Sequence, residues 1–199
     1  MATRYFTKGT FDFLKDLEAN NNRPWFNENK ARYESTIKEP ALDFIEDFAA
    51  PLKRISKNFV ADPSLQGGSL FRIYRDTRFG KDKTPYKKNT GLHFRHFMAK
   101  DAHAPGFYLH VEPGENFMGV GLWRPETKVA YQIREHIDEN QAEWKKATRG
   151  KRFADVFSLG GDSLTRPPRS FDEDHPFIED LKRKDFIAST RLSQRTITS

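Results

Sequence analysis

The sequence predicts an α+β fold, an antiparallel β-sheet meander packed against N-terminal and C-terminal helices. Three observations predict it. Apolar residues recur at helical spacing through the first third of the chain, alternate with polar ones between Gly67 and Trp123, and return to helical spacing after Pro125. The alternating stretches are separated by short turn signals. An antiparallel meander permits this, whereas a parallel sheet needs crossover helices. At 199 residues the chain reads as one domain over residues 1–199. Its periodicity divides it into a helical part over about 8–58, a β core over about 67–124 and a helix-and-loop part over about 125–190.

The elements follow in order. Thr10 is read as the N-cap of a short helix whose Phe11, Leu14 and Leu17 share a face, and Asn20-Asn21-Asn22 stops it. After Arg23-Pro24, with proline in a first helical turn, Trp25, Phe26, Asn29, Tyr33 and Ile37 keep helical spacing up to Pro40. Pro40 opens a further helix with the stripe Leu42, Ile45, Phe48, Leu52 and Ile55, which Pro51 is expected to kink or divide. Such stripes bury a face and read as core. From Gly67, Phe71 and Ile73 alternate with Arg72 and Tyr74, and Leu92 with Phe94 suggests a second strand. Gly106–Glu112 and Asn116–Trp123 flank Pro113-Gly114, a hairpin signal. Arg124-Pro125-Glu126 enters one long helix through Val129, Ile133, Ile137 and Trp144 to Gly150. A short strand at Phe153–Leu159, a Gly-, Pro- and Arg-rich loop and a last helix through Phe177, Ile178 and Leu181 follow. The polar residues from Arg191 to Ser199 read as frayed.

Composition narrows the chemistry. With no cysteine there is no disulfide framework, thiolate metal site or cysteine nucleophile. The 18 Phe predict an aromatic core. No run approaches the roughly 20 apolar residues of a membrane helix, and the opening Met1–Lys8 lacks a signal peptide's apolar segment, so no membrane partner and a cytoplasmic location are expected. The six histidines keep acid–base chemistry open. No HExxH or third-ligand spacing points to a metal, and no Walker loop or G-x-G-x-x-G to a nucleotide fold, so no cofactor is assigned.

The charge is concentrated. Between Arg72 and Lys88 lie seven cations, Arg72, Arg75, Arg78, Lys81, Lys83, Lys87 and Lys88, against only Asp76 and Asp82, in a chain of formal net charge +6. On a regular strand from Leu70 to Phe79, Phe71, Ile73, Arg75, Thr77 and Phe79 share one face and Arg72, Tyr74, Asp76 and Arg78 the other. Arg75 breaks the apolar face, so either it meets a carboxylate or a bulge re-aims the chain. Asp76, flanked by Arg72 and Arg78, can hold their planar forks. Pro85 and Tyr86 stiffen the following loop, bringing Lys83 and Lys87 toward the same volume, with Asn89 as a neutral donor.

The expected ligand-binding set is therefore Arg72, Arg75, Asp76, Arg78, Lys83, Tyr86, Lys87 and Asn89, around a small anionic and phosphorylated ligand. Three other readings stay open. The run is a nucleic-acid interface with Tyr74 or Tyr86 stacking on bases, or the electrostatic part of a phosphoryl-transfer or hydrolytic enzyme, or a structural ion-pair network. For the enzyme reading His110 and Glu112, which alternate with Tyr108 onto one strand face, are the catalytic candidates as base and orienter. Their bland reading is a hydrogen-bonded strand histidine. Gly119 and Gly121 read as a bend in the strand or a point where another backbone comes close, and the loop Thr165–Pro176 as a lid or a cover for a sheet edge.

The run Arg72-x-x-Arg75-Asp76-x-Arg78-Phe79-x-x-x-Lys83-x-Pro85-Tyr86-Lys87-x-Asn89 resembles the signature of a bacterial family of conserved hypothetical proteins, domain of unknown function 2461. Asn20-Asn-Asn-Arg-Pro-Trp-Phe-Asn-x-Asn-Lys-x-x-Tyr33, Gly106-Phe-Tyr-Leu-His-Val-Glu-Pro-Gly114 and Gly119-Val-Gly-Leu-Trp123 are similar to flanking parts of that pattern, so the likeness runs from about Phe6 to Ser189. The resemblance implies that the basic positions belong to a shared pattern and brings no reaction, cofactor or substrate. Similar proteins continue into another C-terminal helix where this sequence stops at Ser199, which implies uncovered apolar surface and self-association.

Overall fold

The computed structural model describes residues 4–78, 80–98 and 103–199; Phe79, placed above on a strand face, lies outside them. In chain order the elements are α1 (Lys8–Ala19), α2 (Arg23–Glu28), α3 (Lys30–Tyr33), a π-helical turn (Glu34–Lys38), α4 (Glu39–Ile55), β1 (Thr90–Arg95), β2 (Gly106–Val111), β3 (Asn116–Leu122), α5 (Thr127–Glu139), α6 (Gln141–Arg149), α7 (Lys151–Ala154), β4 (Ser158–Gly160), α8 (Ile178–Leu181), β5 (Phe186–Leu192) and α9 (Gln194–Ile197). The strands form one antiparallel sheet in the order β1-β2-β3-β5-β4, flanked by helices, as an α+β fold requires. The chain divides into two compact units. One comprises Met1–Phe97, Phe107–Met118 and Arg191–Ser199, and the other Met98–Gly106 and Gly119–Thr190.

In the first unit α1 is buried on two faces. Phe11 joins Ala41, Ile45 and Leu52 of α4 and Leu92, Phe94 and Val111 of the sheet in one cluster. Phe13, Leu14 and Leu17 join Phe26, Ile37, Ile73 and Tyr86 in a second. Fully burying each such side chain contributes about 1.5–3 kcal/mol, so α1 holds both clusters together. The cap differs from the expectation. Thr7 occupies the N-cap and Thr10 lies in the first turn, where its hydroxyl accepts the Thr7 N–H at 3.1 Å and donates to the Thr36 carbonyl at 2.9 Å. Pro51 lies inside α4 without ending it.

Over its described part, Leu70–Arg78, the segment carrying the basic run is not a regular strand. It is joined to the following segment by bridges at Leu70–Leu92 and Tyr74–Tyr86, with the Arg75 N–H on the Pro85 carbonyl at 2.9 Å and the Lys87 N–H on the Ile73 carbonyl at 2.8 Å. Between the bridges residues 71–73 face residues 87–91, so the second segment bulges. The two-faced alternation nevertheless holds. Ile73 is buried and Phe71, Arg75 and Thr77 half-buried, while Arg72, Tyr74, Asp76 and Arg78 are exposed.

In the second unit Ala130 and Ile137 pack with Phe177, Leu181 and Phe186. Buried Arg134 donates to the carbonyls of Leu181 at 2.6 Å and Arg183 at 2.7 Å, satisfying the end of α8. Three expectations are corrected. The long helix is two, α5 and α6, because Asn140 folds its amide back onto the His136 carbonyl at 2.9 Å. Phe153–Leu159 is divided between α7 and the short β4. The polar tail is not frayed: β5 runs to Leu192, the Ser193 side chain caps α9, and Ile197 packs against the first unit's core.

Candidate functional site

Asn20 to Asn27 builds one wall of a hollow in the first unit. The Asn22 side chain accepts the Trp25 N–H at 3.0 Å, capping α2, and Pro24 suits its first turn. Phe26 turns inward and stacks on buried Tyr86, centroids 4.1 Å apart at 21°. Arg23 and Asn27, four residues apart, share the exposed helix face. Opposite them come Tyr74, Arg75, Thr77, Pro85 and Tyr86, and together these residues line a hollow of about 350 Å³. Among the described residues the lining carries two guanidinium groups and no carboxylate.

Arg75 meets a carboxylate, the first of the two outcomes anticipated for it. Its Nη1 donates to Asp82 Oδ2 and Thr84 Oγ1. That bond, with further ones from Thr84, holds the Asp82 carboxyl down to about 2. The Nε and Nη2 donors of Arg75 have no partner among the described residues, so the ion pair orients the fork and leaves part of it unused. Burial pushes the Tyr86 phenol above its ordinary range, and the positive charge of Arg23 opposes the shift.

The other members of the basic run are disposed differently. Arg78 grips Asp76 with both prongs, Nε to Oδ1 at 3.0 Å and Nη2 to Oδ2 at 2.7 Å, and the Asp76 carboxyl falls to about 2 chiefly through these bonds. Arg72 does not share that carboxylate directly; its charge acts on Asp76 only at longer range, and among the described residues its guanidinium makes no hydrogen bond. Lys83 donates to the Thr77 carbonyl at 2.8 Å and Lys87 to the Arg72 carbonyl at 2.8 Å. Burial, then the Arg72 charge, lowers the Lys87 ammonium. Of the eight residues expected to bind ligand, Arg75 and Tyr86 line the hollow.

Asn89 instead faces the second constellation. His110 Nε2 lies 2.8 Å from Glu112 Oε2, as base and orienter would, but its Nδ1 is 3.1 Å from the Tyr108 hydroxyl and 3.4 Å from the Asn89 amide. With the proton on Nε2, Nδ1 accepts from both and the ring is saturated by its neighbours. Phe117 covers it, stacked at 4.6 Å, and Lys88 pairs with Glu112 at 3.4 Å and Glu18 at 3.1 Å. Burial, then the Glu112 charge, pushes the Tyr108 phenol up to about 12. The arrangement is that of a closed polar network. Among the described residues no cluster of three or more His, Cys, Asp or Glu side chains is placed to hold a metal ion.

Sequence reasoning missed Arg23 and Asn27, whose stretch was read only as helix stop and helix start. The available signal was the pairing of the Asn20–Tyr33 stretch with the basic run in the family resemblance.

The family model for conserved hypothetical protein (DUF2461) matches residues 9–199, and the chain belongs to that family. Among curated proteins none matches. No helix among the described residues is long and apolar enough to cross a membrane.

Proposed function

We propose that this member of the DUF2461 family binds a small anionic ligand, with a phosphate or carboxylate group held between Arg23 and Arg75. The observation that carries the reading is that among the described residues one hollow has two arginines and no acid in its lining. Arg75 is braced by Asp82 and Thr84 and keeps donors to offer, a preorganised half of a bidentate contact. Arg72, Lys83 and Lys87 of the same run add positive potential that raises the local concentration of anions, whereas the charge of Arg78 is offset by Asp76. A backbone-tracking role on nucleic acid is less favoured, because Lys83 and Lys87 are drawn onto the protein's own carbonyls.

The test is thermal unfolding with inorganic phosphate or pyrophosphate against chloride at fixed ionic strength. Ligand at about 100 times its Kd stabilises by about 2.7 kcal/mol, a rise of about 5–10 °C for a chain of this size. Arg23→Ala and Arg75→Lys are each expected to shrink the rise while far-UV circular dichroism stays that of the parent. Equal rises in parent and Arg23→Ala, or none in either, reject the site.

A further inference from the structure

We infer that the anion recognised here is carried on a flat, unsaturated ring that lies against Tyr74, an inference that rests on the anion reading above. Size is the first argument. A hollow of about 350 Å³ has room for on the order of ten waters at about 30 Å³ each, well beyond what the five heavy atoms of a phosphate fill. The remainder leaves room for a group attached to the anion.

The lining says what. Tyr74, Pro85 and Tyr86 supply apolar surface beside the two arginines. Tyr74 stays 53% exposed, although aromatic rings hold it from within: Tyr86 is 5.4 Å away at 44° and Phe26 6.4 Å away at 60°. Its backbone is fixed by the bridge to Tyr86 and by the neighbouring Arg75–Pro85 hydrogen bond. An exposed aromatic side chain on a fixed backbone at the rim of a cationic hollow is a stacking platform whose ordering cost is already met by the fold.

Two neutral polar side chains complete the match. Among the described residues neither the Asn27 amide nor the Thr77 hydroxyl is hydrogen-bonded to protein, and both line the hollow. They offer donors and acceptors to heteroatoms at a ring edge. The ligand class is therefore an aryl or heteroaryl phosphate or carboxylate rather than bare phosphate or a saturated phosphate ester.

The experiment uses the full chain and calorimetric titration with three probes, inorganic phosphate, phenyl phosphate and cyclohexyl phosphate, with phenol as the neutral control. Phenyl phosphate is expected to bind at least about tenfold more tightly than either other phosphate, the range of one ring–aromatic stack. Tyr74→Ala should bring phenyl phosphate down to the inorganic level without changing inorganic phosphate, and Tyr74→Phe should restore the preference. If the three phosphates bind alike, or Tyr74→Ala leaves the preference intact, the ring inference is overturned while the anion reading stands. If phenol binds as well as phenyl phosphate, or no phosphate binds at all, the anion reading fails and the inference goes with it.

Discussion

Asn21 holds the backbone of Tyr86 from both sides: its Oδ1 accepts the Tyr86 N–H at 3.0 Å and its Nδ2 donates to the Tyr86 carbonyl at 3.0 Å. The side chain thus acts as an extra strand residue, joining the turn before α2 to the segment that carries Pro85, Tyr86 and Lys87. Both contacts are part-buried. Losing two such bonds, at about 1 kcal/mol each, predicts that Asn21→Ala lowers stability by about 2 kcal/mol, or about 4–8 °C in Tm for a chain of this length. Asn21→Asp keeps only the acceptor and sets a carboxylate against a carbonyl, so it should fare no better. An unchanged urea midpoint in Asn21→Ala would show that the clamp contributes nothing.

That clamp also marks where the sequence stops being legible. The alternation from Phe71 to Arg78 could be read because period two is a local property, and the demand that Arg75 find a carboxylate follows from the cost of a buried charge. Its partner Asp82 lies within the same run. Arg23 and Asn27 enter the hollow through a contact between Asn21 and Tyr86, residues 65 positions apart, and no periodicity records such a pairing. The break at Asn140 was hidden for a different reason: the apolar stripe continues past it, and the helix ends where the Asn140 backbone leaves the helical range and its amide folds back onto the His136 carbonyl. β5 went unread because its burial, Phe186 and Ala188 inside with Arg191 exposed, depends on antiparallel pairing with β4 rather than on its own composition.

His93 predicts an acid sensitivity. It is buried on β1, its Nδ1 without a partner among the described residues, and burial, then the Arg95 charge, lowers its pKa to about 4. An unfolded histidine titrates near about 6.5. Between the two values the unfolded chain binds the extra proton, so stability rises with pH across that window: it is complete above about 6.5 and lost as pH falls toward about 4. The full difference is of order 3 kcal/mol. Asp76 and Asp82, held at about 2, lose their contribution only below about 4, which leaves the higher window to histidine. Urea unfolding at pH 4.5 and 7 should give a smaller difference in His93→Leu than in the parent; parallel pH profiles would exclude His93 as the cause.

Gly91 predicts a coupled pair. A Cβ at this position would lie 2.5 Å from the Tyr108 hydroxyl oxygen and 3.0 Å from its Cε2, so Gly91→Ala must displace the ring or the strand that carries the methyl. Overpacking of this kind costs about 1–3 kcal/mol. Tyr108→Phe removes the nearest atom. The double variant should therefore lose less than the sum of the single variants, by at least about 0.5 kcal/mol, whereas strict additivity in a denaturant cycle would mean that the strain is relieved elsewhere.

Asp82 predicts a gain. Its carboxylate pairs with Arg75 on the protein surface, with 57% of its side chain exposed, where an ion pair is worth little to stability. The same charge sits beside a hollow proposed to receive an anion, and repels it. Asp82→Asn removes the repulsion while Thr84 continues to hold the Arg75 Nη1. At separations of about 6 Å the relief amounts to about 0.7 kcal/mol in water-like surroundings and more where solvent is partly excluded. Phosphate affinity measured by calorimetry should therefore tighten a few-fold while Tm without ligand stays within a few degrees of the parent. Because Asp82 remains ionised down to about pH 2, the gain should persist across neutral and mildly acidic pH, apart from the titration of phosphate itself. Weaker binding in Asp82→Asn would mean that the carboxylate's service in orienting Arg75 outweighs its repulsion, and that the free donors of Arg75 do not reach the anion without it.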